Sequence, residues 1–553
     1  MVMNGQPVII LKENTERNTG REAQKNNIAA ASAIAEAVRS TLGPLGMDKM
    51  LVDSLGDVII TNDGATILEE LDVEHPAAKL IIQVAKSQDK EVGDGTTSAV
   101  VIAGELLKKG DELLEKKVHG TTIVDGYKIA AEEAIKALDS IAKEVSIDKE
   151  SLLPIALTSL NSKSVHTAKQ HIAELAIDAV LHIKEEKEDG SFVADLDNVK
   201  ILQKQGKSLE ESSLIKGIAI DKEFLHPAMP KEITDAKIAL INQNIEVNKT
   251  EFDAEIRITD PTQVQMFLDN EQRMIEEMVE KIAATGANVV ICQKGIDDMA
   301  QYFMAKKGIA AVRRVKKSDM EKIAKATGGN IVTSLDELTE KDLGKAGKVF
   351  QTKLGDDDYI FIEECASPLA VTILLRGSSK YATDEAERAL TDALSVVRNV
   401  VEDRMIVPGG GAVEVHLNQV IEKLAKKTPG KERLAIQAFA DALLIIPATL
   451  SENAGLDPIE IEAELISAYG PKKKGWGIDV EEGKVANMFE KGVVEPIRVK
   501  RQAIKSAAEA AEMILRIDDV IATKKEENSE GQPGMGGMPG GMGGMPGGMP
   551  GMM

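Results

Sequence analysis

The hydrophobic period of this chain changes twice, and that restricts what it can fold into. Residues 22–42 carry Ile28, Ala31, Ala35 and Val38 at helical spacing and stop at Gly43-Pro44. Met50-Leu51-Val52 and Val58-Ile59-Ile60-Thr61 predict two short strands around the turn 54–57, and Asn62-Asp63-Gly64 predicts a second turn. Pro76 suits the first turn of a helix carrying Leu80, Ile81, Val84 and Ala85. Helical periods recur at 96–109, 121–145 and 164–186. The middle differs. Short apolar runs at 239–242, 289–292, 310–315 and 330–332 alternate with helical segments, and 359–363 with 371–375 predicts a strand pair. Such alternation implies a separate α/β domain at about 220–368. From Asp384 the pattern is again helical, with Ala386, Leu390, Ala393, Leu394, Val397, Val400 and Val401 in one stripe.

A chain of 553 residues suits about three or more domains. Its formal charge of −23 disfavours nucleic-acid phosphates and anionic membranes as main partners. Aromatics are 3% of the chain, too few for the stacking platforms of a single-strand binder. Cys292 and Cys365 are too sparse for a disulfide framework and fit a reducing cytoplasm. No secretion signal is evident at the N-terminus, and no apolar window reaches the roughly 20 residues of a membrane helix. Residues 531–553 are almost only Gly, Met and Pro and are expected to be disordered.

The most informative stretch is Gly93-Asp94-Gly95-Thr96-Thr97-Ser98, which opens a helix. Glycines admit phosphate oxygens to backbone N–H groups, and a helix start offers free donors and a positive dipole end. Asp94 is placed to hold Mg²⁺, which prefers oxygen ligands and bridges phosphates. The same residues also suit an ordinary N-cap. No Gly-x-x-x-x-Gly-Lys-Ser/Thr occurs, which disfavours a P-loop. By local pattern alone, Gly409-Gly410-Gly411 is a loop or a close backbone approach to a ligand. Asp63 is a turn residue, and Asp392 belongs to a polar helix face near Arg388. The seven histidines show no metal-ligand spacing. Residues 295–307, with Ile296, Met299, Tyr302 and Phe303, form an amphipathic helix candidate, suited to promiscuous binding or to ordinary core packing.

Taken together, these pieces resemble the chaperonins, and the group II chaperonins in particular. The resemblance rests on Thr41-Leu42-Gly43-Pro44 with Gly46-Met47-Asp48-Lys49-Met50, on Thr61-Asn62-Asp63-Gly64-Ala65-Thr66 and on Gly93 to Thr97. It rests also on Gly409-Gly410-Gly411, Glu452-Asn453-Ala454-Gly455-Leu456-Asp457, Val493-Val494-Glu495-Pro496 and the Gly/Met tail. It implies a multidomain α and α/β fold: a mainly helical equatorial ATPase domain from 1–150 and 404–530, an α/β intermediate hinge domain from 151–220 and 369–403, and an α/β apical domain at 221–368. A helical protrusion near 248–275 would close the chamber, with Phe267, Leu268 and Met274 at its tip.

By position, the resemblance implies nucleotide contacts at Leu42, Gly43, Pro44, Gly95, Thr96, Thr97, Ser98, Gly410, Gly411, Asp479 and Glu495, with Mg²⁺ on Asp94. Asp392 matches the catalytic aspartate, Asp63 its partner beside the attacking water, and Lys163 a sensor of the γ-phosphate. Leu45 stands where many relatives have Lys, and Ser98 replaces a third Thr but keeps its hydroxyl. The cofactors implied are ATP and Mg²⁺. The partners implied are unfolded protein clients, and copies of this chain or paralogous subunits in two stacked rings of about eight. Ile296, Met299, Tyr302, Phe303, Phe267 and Leu268 would hold clients. Two other classes remain open: a small-molecule phosphotransferase using ATP, and a passive holdase.

Overall fold

The computed structural model describes residues 2–3, 6–7, 15–163, 165, 168–247, 261–355, 357–366, 369–470 and 473–523. The tail at 531–553 and residues 248–260 of the expected protrusion lie outside the described residues. The chain divides into two compact units, residues 1–24 with 517–553, and residues 25–516. In the first, the strand Asp519–Thr523 pairs antiparallel with Thr15–Thr19, and Arg17 reaches Asp519 at 2.6 Å.

Among the described residues the second unit has three large apolar cores and a small fourth cluster of Ala219, Tyr359 and Phe361. The largest draws on both ends of the chain. It contains α1 (Gly20–Arg39) from Lys25 onward, and the helices α2 (Gly64–Glu70), α3 (Pro76–Val92), α4 (Thr96–Glu115) and α5 (Gly120–Leu138). Helix α4 is buried nearly all round, through Ala99, Val100, Val101, Ile102, Ala103, Leu106 and Leu107. A side chain at Gly104 would meet the Ala35 methyl at 2.3 Å, so glycine there lets α1 and α4 cross closely. Tyr127 donates to the Leu106 carbonyl at 2.7 Å and meets the Phe439 ring edge-on. Burying each such large side chain contributes about 1.5–3 kcal/mol.

Helix α5 ends at Leu138, seven residues short of the expectation, because Lys143–Glu144 leaves the helix to pair with the strand Met405–Pro408. Asn62-Asp63-Gly64, expected as a turn, is a helix start. The Asp63 carboxylate accepts from the Thr66 N–H at 2.8 Å and caps α2.

The second core joins α6 (Lys149–Leu160), α7 (Lys169–Ile183) and a three-stranded sheet in the order Ser213–Ile215, Val371–Gly377, Val199–Gln205. The third core surrounds a seven-stranded mixed sheet within residues 217–365, with α8 (Pro261–Ala284), α9 (Asp298–Lys306) and α10 (Lys317–Thr327). Its strands Val289–Cys292 and Ala310–Val312 are wholly buried and lie parallel to Glu232–Ile241, as continuous apolar runs require.

The expected pairing of 359–363 with 371–375 is overturned. Asp357–Cys365 pairs with Gly344–Leu354 and Gly217–Ile220, whereas Val371–Gly377 runs parallel to Val199–Gln205 in the other sheet. The intervening segment holds Pro368 and lacks the Asn-Gly or Asp-Gly pair that a tight hairpin needs.

Helix α11 (Lys380–Asp403) belongs to the second core and returns the chain to the first. There the helices α12 (Ala412–Lys427), α13 (Glu432–Leu443), α14 (Ile445–Asn453), α15 (Pro458–Ala468) and α17 (Ile497–Leu515) complete the core, while the short α16 (Met488–Lys491) packs Phe489 against the second core. Glu432–Asn453 is long and apolar enough to cross a membrane by composition, yet it is mostly buried in the first core and forms the two helices α13 and α14.

Candidate functional site

Within the second unit, a cavity of about 540 Å³ opens between loops of the first core and residues of α6 and α7. Its walls include Leu42, Gly43, Pro44, Asp94, Gly95, Ser98, Gly410, Gly411, Asp479 and Glu495, ten of the residues expected to contact nucleotide or metal.

Two helix starts face this space. Gly93 ends α3 at φ 70° and Gly95 begins α4 at φ 76°, both left-handed conformations that glycine adopts without strain. The Gly95 N–H donates to Asp94 Oδ1 at 2.6 Å, and Gln88 Nε2 donates to the Asp94 carbonyl at 2.9 Å. Across the cavity Gly411 begins α12 at φ 75°, after Gly410 at φ 59°. A Cβ on Gly410 would lie 2.7 Å from Met488 Sδ and 2.8 Å from the Ile478 carbonyl. This close approach lets the Ile478 N–H donate to the Gly410 carbonyl at 2.8 Å.

Thr96 and Thr97 are not part of the cavity wall. A Cβ on Gly64 would come within 2.5 Å of Thr97 Oγ1 and 3.2 Å of Thr96 Oγ1, so their hydroxyls face α2. Asp63, Lys163 and Asp392 also stand off the wall, but they meet one another. Lys163 Nζ lies 2.9 Å from Asp392 Oδ2 and 3.6 Å from Asp63 Oδ1. Asp392 is only 8% exposed, so the polar face read from the helical period is not solvated. The loop at Gly93 presses on the same helix: a Cβ there would meet Ser395 at 2.3 Å, and Asn399 donates to the Val92 carbonyl at 2.8 Å.

One lysine between two carboxylates splits their titration. Burial acts to raise Asp63, but Lys163 and the Thr66 hydrogen bonds outweigh it and hold its carboxyl below the usual range. Burial raises Asp392 well above that range, with the charges of Asp63 and Asp94 adding and Lys163 opposing. Burial would lower Lys163, but Asp392 and Asp63 hold it charged, above the usual lysine range.

A second cluster of this form was not legible in the sequence. Lys500, on α17, pairs with Glu414 on α12 and with Glu495, each at 3.0 Å, and lines the cavity with Glu495. Burial raises the Glu495 carboxyl despite Lys500. Asp479 is set differently. Burial opposes its ionisation, but Lys491 at 2.8 Å and the Glu481 and Glu482 N–H groups hold it below the usual range. Lys169, Lys491 and Thr158 also line the cavity and were missed. In sequence each is an ordinary polar helix residue.

The fit to ATP and Mg²⁺ rests on the cavity's size, its two helix starts, the tight glycines and Asp94 as an acidic wall residue. Among the described residues no group of three or more His, Cys, Asp or Glu side chains could hold a metal by itself. Asp94 would therefore share a cation with phosphate oxygens.

The client-binding candidates divide. Met299 and Tyr302 are exposed on α9, at 39% and 49%. Ile296 and Phe303 are buried in the third core, so their assignment to a client-facing surface is corrected. The helix lies on the sheet and turns its inner stripe inward. Leu268, on α8, is exposed. The Phe267 side chain lies outside the described residues.

A fold with one helical core built from N- and C-terminal segments, an inserted α/β region and a glycine-lined cavity is accompanied by a family match. The TCP-1/cpn60 chaperonin family model covers residues 34–525, and the chain belongs to that family. Within it the chain is a group II chaperonin. It is 57% identical over 535 residues to a thermosome subunit of Pyrococcus abyssi, across 96% of this chain and 97% of the relative. A thermosome subunit beta of Thermococcus kodakarensis is 57% identical over 532 residues, with the same coverage. One of Methanothermobacter thermautotrophicus is 54% identical over 543 residues, covering 98% of this chain and all of the relative.

Proposed function

We propose that this chain is a subunit of a double-ring chaperone that binds unfolded proteins and folds them in a closing chamber, driven by Mg²⁺-dependent ATP hydrolysis. The three cores support a division into an equatorial part from both chain ends, an intermediate part and an apical part. The two free cysteines, with Cys292 buried, support a reducing, cytoplasmic setting.

The observation that carries the reading is the meeting of Asp392 with Lys163 and Asp63 behind the cavity of Asp94. The N–H groups at the starts of α4 and α12 would receive phosphate oxygens, and Gly43, Gly410 and Gly411 admit the ligand to the backbone. Asp94 would hold Mg²⁺, which neutralises phosphate charge when bound. Asp63, ionised and fixed by Thr66, and Asp392, with its raised pKa, would orient water toward the terminal phosphorus. Because Asp392 stands on α11 of the second core, its approach to the cavity ties hydrolysis to movement of that core. Exposed Met299, Tyr302 and Leu268 would contact clients.

The test is phosphate release from Mg²⁺-ATP by wild type and Asp94→Ala. Wild type should turn over, and the variant should lose at least tenfold. No nucleotide-dependent release by either would overturn the reading.

A further inference from the structure

Three lysines line the cavity: Lys169, Lys491 and Lys500. Two are committed. Lys491 lies 2.8 Å from Asp479 and also pairs with Glu482, and Lys500 lies 3.0 Å from both Glu414 and Glu495. Among the described residues, Lys169 has no carboxylate within 4.0 Å and makes no side-chain hydrogen bond. Glu481 is in the same position. Its backbone N–H is held by Asp479 Oδ1 at 3.1 Å, which fixes the turn, while its carboxylate makes no hydrogen bond or ion pair among the described residues.

Both groups line the same cavity. Burial pushes the Lys169 ammonium below its usual range, and Glu481 is the carboxylate that opposes this. Glu481 is exposed while lining the cavity, which puts it at the rim. The two stand on elements of different cores. Lys169 is the first residue of α7, whose Ile172, Ala173 and Ala176 are buried in the second core. Glu481 lies in the turn after the strand Trp476–Asp479, whose Ile478 belongs to the first core. Movement of one core toward the other would bring the two charges closer across the opening.

We propose that Lys169 and Glu481 form an ion pair that closes the mouth of the cavity over a bound nucleotide and sets how fast it leaves. This rests on the nucleotide reading of the cavity. Neither group touches the reacting atoms; both act as retaining and positioning residues. The pair strengthens as water leaves the closed mouth, and its contribution falls with ionic strength.

The experiment is a charge-reversal cycle on the full chain, following release of a fluorescent adenosine diphosphate analogue by stopped flow with Mg²⁺ present. Lys169→Glu and Glu481→Lys should each speed release by about three- to tenfold, the range expected of a part-exposed ion pair turned into a repulsion. The double variant should return to within about twofold of wild type, and the single-variant effects should shrink at high salt. A merely structural role for either residue would not be rescued by reversing the other. Singles that release as wild type does, or a double variant whose effects simply multiply, would overturn the pair while leaving nucleotide binding intact. If wild type binds no nucleotide, the reading of the cavity fails and the pair fails with it.

Discussion

Lys163 and Asp392 lie 2.9 Å apart, joining the residue just beyond α6 to the middle of α11. Both are buried, so each ion lacks water and depends on the other. The second carboxylate, Asp63, enters at the cap of α2 in the first core. The cluster thus ties three segments, far apart in sequence, to the region behind Asp94.

Asp392→Ala should slow ATP turnover by at least tenfold while ATP still binds. Steady-state phosphate release, set beside equilibrium binding of a fluorescent nucleotide, checks this. Normal turnover would remove Asp392 from the reaction.

Lys163→Met should destabilise the fold by about 3–5 kcal/mol, since it leaves the buried Asp392 and the part-buried Asp63 without a cation. The loss has a pH signature. Without Lys163 both folded-state pKa values move up, so the folded state binds more protons and stability falls as pH rises above about 4. Urea unfolding at several pH values would show the gap from wild type widening between pH 4 and 8. A gap independent of pH would contradict the charge argument.

Gly410→Ala should weaken nucleotide binding and cost about 1–3 kcal/mol of stability, the usual range for a non-glycine residue forced into a strained backbone. Gly410 has φ 59°, and its Cβ would collide with Met488 Sδ and the Ile478 carbonyl. Thermal unfolding and nucleotide titration measure both. An unchanged variant would show that the loop can move aside.

His416 is buried, with Nε2 2.9 Å from Ser140 Oγ and Nδ1 2.8 Å from Tyr469 Oη. Burial, with nearby Lys474 and Lys423, lowers its pKa to about 4. The unfolded chain, at about 6.5, binds the proton first. The contribution of neutral His416 is therefore fully present above pH 6.5 and is lost as pH falls toward 4. Replacement by Gln should flatten the acid limb of stability in that window. An unaltered limb would assign the acid sensitivity elsewhere.

The helices of the first core and the glycine loops at Gly95 and Gly411 were legible because apolar period and glycine punctuation are local signals. What was not legible is long-range. Lys500 sits on an amphipathic helix where lysine usually means a solvated face, and only the fold brings Glu414 and Glu495 against it. Asp63 read as a turn because a capping aspartate and a turn aspartate look alike in sequence. Ile296 and Phe303 belong to an amphipathic period that does not say which stripe faces the sheet. Val371–Gly377 has the composition of a strand, but its parallel partner Val199–Gln205 lies far away in sequence.

The most direct measurement is the ATP-dependent refolding yield of a chemically denatured test enzyme, comparing wild type with Asp392→Ala. The mechanism predicts that wild type restores activity when ATP is added, while the variant captures the unfolded chain and releases little active enzyme. A wild type indifferent to ATP, or a variant that refolds as well as wild type, would contradict the coupling of hydrolysis to folding.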